Sequence, residues 1–176
     1  CIPEIQRDLA KGKSLISNPG WPDEDKMRPC SEILKSLEVE HVFTVTSAHR
    51  TPERTDRLVR ELEEAGCQVF ICAAGLAAHL AGAVAARTLK PVLGVPLTGS
   101  ELGGLDALLS TVMMPPGYPV GTLALDKVGA RNAAWLAAQI LAVADPALDE
   151  KIRAARAKMQ AGVEEAAAEI EAKYGC

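Results

Sequence analysis

Short apolar segments alternate with helical ones along most of the chain, and this alternation constrains the fold more than any other feature. The segment 67–73 is apolar at every position except Gln68, which is typical of a parallel strand covered on both faces. Similar composition predicts five strands in all, at residues 15–17, 39–46, 67–73, 91–96 and 120–125. The alternation predicts a parallel sheet with helices on both faces and right-handed crossovers.

Such a sheet predicts a three-layer α/β/α architecture with the flavodoxin-like doubly wound strand order. Thr51 and Pro52 are typical of an N-cap and a first helical position, and Asp126 is placed to cap a later helix. Gly66 provides a helix stop, and we expect Gly75 to turn the chain after the third strand. The predicted helices begin at residue 23 or 25 and end at 37 for the first, and then cover residues 52–65, 77–88, 105–112, 127–143 and 146–173.

The C-terminal segment departs from this alternation. Asp145 and Pro146 read as the N-cap and first position of a long helix. Apolar residues recur along it at three- and four-residue steps: Leu148, Ile152, Ala155, Met159, Val163, Ala166 and Ile170. We therefore predict an N-terminal extension of uncertain structure at 1–14, a flavodoxin-like domain at 15–145, and a helix at 146–176 that packs on neighbouring subunits.

Composition excludes several classes of partner. The net charge of -4 and the pI near 5.4 offer no basic face for a nucleic acid. The most apolar run, 70–86, is interrupted by His79 and is too short for a membrane span.

The five cysteines are an odd number without C-x-x-C spacing, so we expect buried reduced thiols rather than disulfides or zinc ligands. No signal peptide is visible, and a cytoplasmic protein is expected.

The loop Ser47-Ala48-His49-Arg50 is the main candidate site, because it follows a predicted strand and precedes a predicted helix. In open α/β sheets, ligands bind at the carboxyl ends of the strands. His49 can give and take a proton near neutral pH, and Arg50 can bind a phosphate or carboxylate through two hydrogen bonds. Loops carrying Asp23, Ala74-Gly75 and residues 98–104 are expected at the same edge, where glycines leave backbone amides open to an anion.

Structural roles for the same residues remain open on residue type alone. A single loop histidine is more often structural than catalytic, and His79 could simply hydrogen-bond a loop. His41 is expected to face solvent. Asp23 could serve only as a helix cap. No G-x-G-x-x-G or Walker loop is present, so a large cofactor is not indicated.

Several stretches together resemble one known family. They are S-A-H-R-T-P (47–52), A-A-G-L-A-A-H-L-A-G (73–82), P-V-L-G-V-P (91–96), L-L-S-T-V-M-M-P-P-G-Y-P-V (108–120) and G-A-R-N-A-A-W-L-A-A-Q-I-L (129–141). On these motifs the chain resembles the PurE family of N5-carboxyaminoimidazole ribonucleotide mutases, over most of residues 39–145. The A-A-H-L stretch is similar to the mutase class rather than to the class that carboxylates aminoimidazole ribonucleotide directly.

The resemblance implies a cytoplasmic homo-octamer that converts N5-carboxyaminoimidazole ribonucleotide to 4-carboxy-5-aminoimidazole ribonucleotide in purine biosynthesis, without a metal or an organic cofactor. Carbon dioxide and aminoimidazole ribonucleotide would be trapped between the two half-reactions. His49 would match the general acid and base, Arg50 a phosphate ligand and Asp23 a ribose ligand. The remaining substrate-binding positions implied are Gly20, Ser47, Ala48, Ala74, Gly75 and His79.

The chain also departs from the family pattern at this site. Gly20 stands where a phosphate-binding serine is expected, and Pro22 replaces a second serine. Leu76 and Ala81 replace a glycine and a proline. Three alternatives therefore remain beside the mutase: direct carboxylation of aminoimidazole ribonucleotide by carbon dioxide, a related enzyme acting on another phosphorylated heterocycle, and a PurE-like scaffold or variant with impaired substrate binding.

Overall fold

A computed structural model describes residues 15–17 and 24–175 of the chain. The predicted extension 1–14, together with Gly20 and Asp23, lies outside these described residues. The strands are β1 (Leu15–Ser17), β2 (Phe43–Val45), β3 (Phe70–Gly75), β4 (Val92–Leu97) and β5 (Gly121–Thr122). The helices are α1 (Glu24–Ser36), α2 (Pro52–Glu64), α3 (Leu80–Ala85), α4 (Leu105–Val112), α5 (Asp126–Ala142) and α6 (Pro146–Tyr174).

The five strands form one parallel sheet in the order β2-β1-β3-β4-β5. This order confirms the prediction of a flavodoxin-like doubly wound fold. The short strand β1 lies between β2 and β3, where Ile16 is in register with Thr44 on one side and Cys72 on the other. Because all pairs are parallel, the carboxyl ends of the five strands meet at one edge of the sheet.

Side chains of β3 alternate between two apolar cores, one on each face of the sheet. Ile71 and Ala73 face α1 and α5, and on that side the core is built largely from buried alanines of α5: Ala130, Ala133, Ala134, Ala137 and Ala138. Phe70 and Cys72 face the other core, formed with residues of α2, α3 and α4. The expected three layers are therefore present, and small side chains let the helices lie close to the sheet.

Several predicted boundaries were wrong. β2 begins at Phe43 rather than Val39, because the amide of Val39 still donates to the carbonyl of Leu34 at 2.8 Å and ends α1. β3 is shifted to 70–75, α3 is shorter than 77–88, and β5 is shorter than 120–125. The bounds of α4 match the prediction of 105–112.

Two side chains predicted to cap helices instead form hydrogen bonds to residues outside those helices. Thr51 occupies the N-cap of α2, but its hydroxyl bonds to the backbone of Ser47 rather than to the helix. Asp126 is the first residue of α5 rather than its cap, and its carboxylate accepts hydrogen bonds from Thr98. The cap at Asp145 is confirmed, since its carboxylate accepts the amide of Leu148 at 3.1 Å.

The turn after β3 is made by Leu76, not by Gly75. Gly75 is the last residue of the strand, and a Cβ placed there would lie 3.1 Å from the carbonyl oxygen of Leu97. Leu76 has a φ of 55°, and its side chain is 59% exposed. A leucine therefore holds a left-handed conformation that glycine adopts at little cost.

The three described cysteines, Cys30, Cys67 and Cys72, are free and buried. This confirms the expected reduced thiols for these positions, whereas Cys1 and Cys176 lie outside the described residues. Burial raises the pKa of the Cys30 thiol to about 12 and raises the pKa of Cys72 as well. Both thiols are therefore protonated and unreactive at neutral pH.

Helix α6 is anchored only at its start. Leu148 and Ile152 are buried against α5 and the core, but Met159, Val163 and Ile170 on the same stripe are 54%, 70% and 59% exposed. The apolar stripe thus continues beyond the part of the subunit that covers it. None of the helices in the described part of the chain is both long and apolar enough to cross a membrane.

The start of α5 lies against the loop that precedes it. A Cβ placed on Gly129 would lie 1.6 Å from the carbonyl oxygen of Ala124 and 3.1 Å from Val95 Cγ1. No side chain can be accommodated at that distance, so the backbone would have to move.

We expect Gly129→Ala to destabilise the protein by about 3 kcal/mol or more, because neither backbone segment can yield without disturbing β4 packing. The matched control is Gly162→Ala in α6, where a Cβ meets nothing within 4 Å. Since alanine is the better helix former, that change is expected to stabilise by about 0.5–1 kcal/mol. Equilibrium denaturation measures both, and equal effects of the two changes would contradict the close approach.

We expect Leu76→Gly to be more stable than Leu76→Ala by about 1 kcal/mol, which corresponds to roughly 2–4 °C in melting temperature. Both changes remove the exposed leucine side chain, and only glycine relieves the positive φ. Thermal unfolding of the two variants measures the difference. An alanine variant as stable as the glycine variant would show that residue 76 is not held in the left-handed region.

Candidate functional site

The loop after β2 is held in shape by its own hydroxyl groups. The Ser47 amide donates to the Thr51 hydroxyl at 3.0 Å, and the Arg50 amide donates to the Ser47 hydroxyl at 3.1 Å. Below them, the buried hydroxyls of Thr46 and Thr55 are 2.9 Å apart. Ala48 packs against the core on the α2 face. The loop is therefore rigid, and it presents His49 and Arg50 outward.

His49 and His79 form a direct pair at the carboxyl edge. His49 Nε2 and His79 Nδ1 are within hydrogen-bond distance, and the two rings meet edge to face with centroids 4.5 Å apart. His79 is the residue before α3, in the loop that follows β3. In the sheet, β1 lies between β2 and β3, so the two histidines flank the end of β1.

Arg50 is exposed, and within the described part of the chain its guanidinium makes no hydrogen bond or ion pair. The neighbouring Arg54 differs, because its guanidinium donates to the Val45 carbonyl at 3.0 Å and fastens the end of β2 to α2. Arg54 is thus structural, whereas Arg50 is available to an anion.

Ala74 and Gly75 end β3 at the carboxyl edge, just before the loop that carries His79. Ala74 is buried and pairs with Pro96, and Gly75 pairs with Leu97. With no side chain at Gly75, the strand end can lie against both the β4 backbone and a ligand at the edge.

A further cluster at this edge was not foreseen as a unit. Asp126 Oδ1 accepts the Thr98 amide at 3.0 Å, and the Thr98 hydroxyl also bonds to the carboxylate. Lys26 of α1 lies 3.1 Å from Asp126 Oδ1 and donates to the Thr98 carbonyl. The loop 98–104 was expected here, but nothing in the local sequence connects it with Lys26.

The pKa of Asp126 reflects these contacts. Burial alone would raise it, but the hydroxyl and amide of Thr98 together with the Lys26 ammonium hold that pKa below its usual value. The carboxylate is therefore ionised throughout the neutral range and remains a hydrogen-bond acceptor there.

Other predicted site residues fall elsewhere. Gly20 and Asp23 lie in the undescribed stretch between β1 and α1. His41 is half-buried rather than solvent-facing, since its ring bonds to the Ser31 hydroxyl at 2.7 Å and the Val39 carbonyl at 2.9 Å. Among the described residues, no group of three or more His, Cys, Asp or Glu side chains is arranged to hold a metal ion.

The arrangement suits proton transfer on an anionic substrate. One imidazole of the pair donates a hydrogen bond to the other, so a proton can be held at either ring and exchanged with a bound molecule. Arg50, the residue after His49, supplies an exposed positive charge on the same loop. The site therefore combines an acid-base group, the histidine pair, with a cationic side chain that can bind an anion.

Comparison with known proteins identifies close relatives. The family model of AIR carboxylase matches residues 19–162. The N5-carboxyaminoimidazole ribonucleotide mutase of Escherichia coli (strain K12) is 52% identical over 126 residues, which cover 72% of this chain and 75% of that protein. The mutase of Vibrio cholerae (strain ATCC 39315 / El Tor Inaba N16961) is 45% identical over 155 residues, covering 88% and 94%.

Solved structures agree on the fold. The crystal structure of Treponema denticola PurE matches with a TM-score of 0.78 at 22% identity, covering 93% of this chain and 99% of that chain. The family model begins before α1 and ends within α6, so it includes both histidine-bearing loops. The chain therefore belongs to the AIR carboxylase (PurE) family.

Proposed function

We propose that the protein is an N5-carboxyaminoimidazole ribonucleotide mutase of purine biosynthesis, an isomerase that yields 4-carboxy-5-aminoimidazole ribonucleotide. The observation that carries this proposal is the His49–His79 pair beside Arg50, on a chain about half identical to proteins named as this mutase. The substrate is a small phosphorylated ribonucleotide, which suits an edge with an unpaired arginine.

His49 is the proposed catalytic acid and base. In the first half-reaction the bond between the exocyclic nitrogen and the carboxylate carbon breaks, its electrons stay on nitrogen, and a proton from His49 neutralises that nitrogen. In the second, ring carbon C4 attacks the released carbon dioxide, and His49 takes back the ring proton. One proton leaves and one returns, so the enzyme ends the cycle unchanged.

His79 is the proposed partner that sets the proton position on His49. The hydrogen bond occupies His49 Nε2 and His79 Nδ1, so Nδ1 of His49 is left to face the substrate, and the ring that holds the shared proton sets the tautomer of His49. His79 also lies at the substrate edge, so it is proposed to contact the substrate as well.

Arg50 is the proposed phosphate ligand, and Ser47, Ala48, Ala74 and Gly75 are proposed to line the substrate position. Asp23 and Gly20, in the stretch before α1, are proposed to complete the ribose phosphate site. A carbon dioxide molecule released in the first step must react before it diffuses away, so exclusion of water and close packing around the substrate are part of the proposal.

The relatives do not favour direct carboxylation of aminoimidazole ribonucleotide by carbon dioxide, because those matching at 43–52% identity are named as the mutase. The same site geometry would serve that lyase reaction, since it is the second half of the mutase cycle. A mutase assay and a carboxylation assay with bicarbonate separate the two.

The proposal extends to assembly. We propose a homo-octamer of the 15–145 domain in which α6 packs on neighbouring subunits, supported by the apolar stripe that continues past Ile152 into solvent. A cytoplasmic location is proposed with it, and the free buried thiols are typical of a reducing compartment.

We expect His49→Asn to reduce turnover of N5-carboxyaminoimidazole ribonucleotide by at least about a hundredfold, because general acid-base catalysis commonly contributes that much. Asparagine keeps a polar side chain but cannot move a proton near neutral pH. His79→Asn, which removes only the partner, is expected to cost about tenfold. Steady-state kinetics, with melting temperature and oligomer mass, measure both.

The matched control is His41→Asn, because within the described residues the third histidine bonds to Ser31 and Val39, away from this edge. Its turnover per folded subunit is expected to equal that of the wild type. Undiminished turnover in His49→Asn would remove the assigned role, and no turnover by the wild type would remove the mutase proposal itself.

We expect the wild-type protein to sediment at about eight times 18.6 kDa, roughly 149 kDa. Val163→Glu places a charge on the exposed apolar stripe of α6 and is expected to lower that mass. Ala161→Glu, two residues away on the other side of the helix, is the matched control and should leave the mass unchanged. A monomeric wild type, or equal behaviour of both variants, would contradict the packing of α6.

A further inference from the structure

Asp126 joins three separate segments at the carboxyl edge of the sheet. It begins α5 just after β5, it binds the amide and hydroxyl of Thr98 just after β4, and it pairs with Lys26 in the first turn of α1. In sheet order β3 lies between β1 and β4, so this contact links segments on both sides of the end of β3. Ala74 and Gly75, which are proposed to line the substrate position, form that strand end.

The backbone at Asp126 is held in an unfavourable conformation. Its φ is 52°, in the left-handed region that is unfavourable for a residue with a Cβ. Aspartate tolerates this region better than most residues, but only glycine enters it freely. The side-chain contacts of Asp126 therefore offset a backbone cost that a glycine at this position would avoid.

Lys26 is fully engaged in the same cluster. Its ammonium group contacts the Thr98 carbonyl, lies 3.3 Å from the Thr98 hydroxyl and 3.1 Å from the Asp126 carboxylate. Lys26 is thus directed toward the 98–104 loop and is a tether rather than the free cation that a phosphate requires.

The loop itself packs closely onto the start of α5. A Cβ on Gly104 would lie 2.4 Å from Leu125 Cδ2 and 3.0 Å from Thr98 Cγ2. Gly104, the residue before α4, has a φ of 90°, a left-handed conformation that glycine adopts without strain. The loop, the β5–α5 junction and α1 consequently form one packed unit around Asp126.

We propose that Asp126 is a positioning residue for the mutase reaction: through Thr98 and Lys26 it fixes the 98–104 loop and the first turn of α1 before the substrate binds. This inference rests on the proposed function. The 98–104 loop and the first turn of α1 both lie at the carboxyl edge of the sheet that carries the proposed site. Ordering these segments in advance lowers the entropy lost on substrate binding.

The test is the KM of Asp126→Gly, a change that removes the tether and also removes the backbone strain. We expect KM for N5-carboxyaminoimidazole ribonucleotide to rise about five- to tenfold, while kcat changes by less than about twofold. A merely structural role would reduce the amount of active enzyme, which lowers the apparent kcat and leaves KM unchanged. KM within about twofold of wild type would overturn the proposal.

A matched threonine pair decides the same question if the glycine variant fails to fold. Thr98→Val removes the hydroxyl that contacts Asp126 and Lys26, and it is expected to raise KM about fivefold. Thr122→Val, in β5, removes a hydroxyl whose partner among the residues that the structure describes is the Val120 carbonyl, and its KM is expected to match wild type. Equal KM values for the two variants would overturn the proposal.

A wild type without mutase activity would be a failure of the proposed function rather than of the tether. Hydrogen exchange of the substrate-free protein then provides the readout. The amides of Leu102 and Gly103 bond to Ser100 and do not touch Asp126. They are expected to exchange about tenfold faster in Asp126→Gly, with amides of β3 unchanged. Unchanged exchange at both loop amides would overturn the proposal.

Discussion

The candidate site depends on how closely α5 can approach the parallel sheet. Five buried alanines of α5 and the bare Cα of Gly129 allow that approach, and Gly129 leaves no room for a side chain beside the Ala124 carbonyl. The contact sets the first residue of α5 at the carboxyl edge. An Ala-rich core with few aromatics is therefore a requirement of the geometry at this edge, because larger side chains would hold the helix away.

The strand order turns this edge into a site. β1 is short and lies between β2 and β3, so the loops after β2 and β3 stand on either side of its end. His49 comes from one of these loops and His79 from the other, and their rings meet across the gap. This is the switch point of a doubly wound sheet, where the strand order reverses and a crevice opens for ligands.

Leu76 and Asp126 both hold a left-handed backbone conformation, but they differ in whether side-chain contacts offset its cost. Leu76 holds a left-handed turn with an exposed side chain, and no described contact of that side chain offsets the cost. Asp126 holds a similar φ, but its carboxylate binds Thr98 and Lys26. Strain of this kind concentrates at functional edges, and at Asp126 the contacts that offset it also order the neighbouring loops.

The sequence by itself determined the alternation of strands and helices, the layers, the cap at Asp145 and the family. These follow from local periodicity, turn residues and motifs, whose signals lie within a few neighbouring residues. It also pointed to the loop of His49 and Arg50. Only the tertiary structure decided the ends of β2 and β5, the left-handed turn at Leu76, the His49–His79 contact and the Lys26–Thr98–Asp126 cluster. The last two of these features join residues 28 to 100 positions apart, and packing over the whole sheet, rather than local preference, brings such residues together.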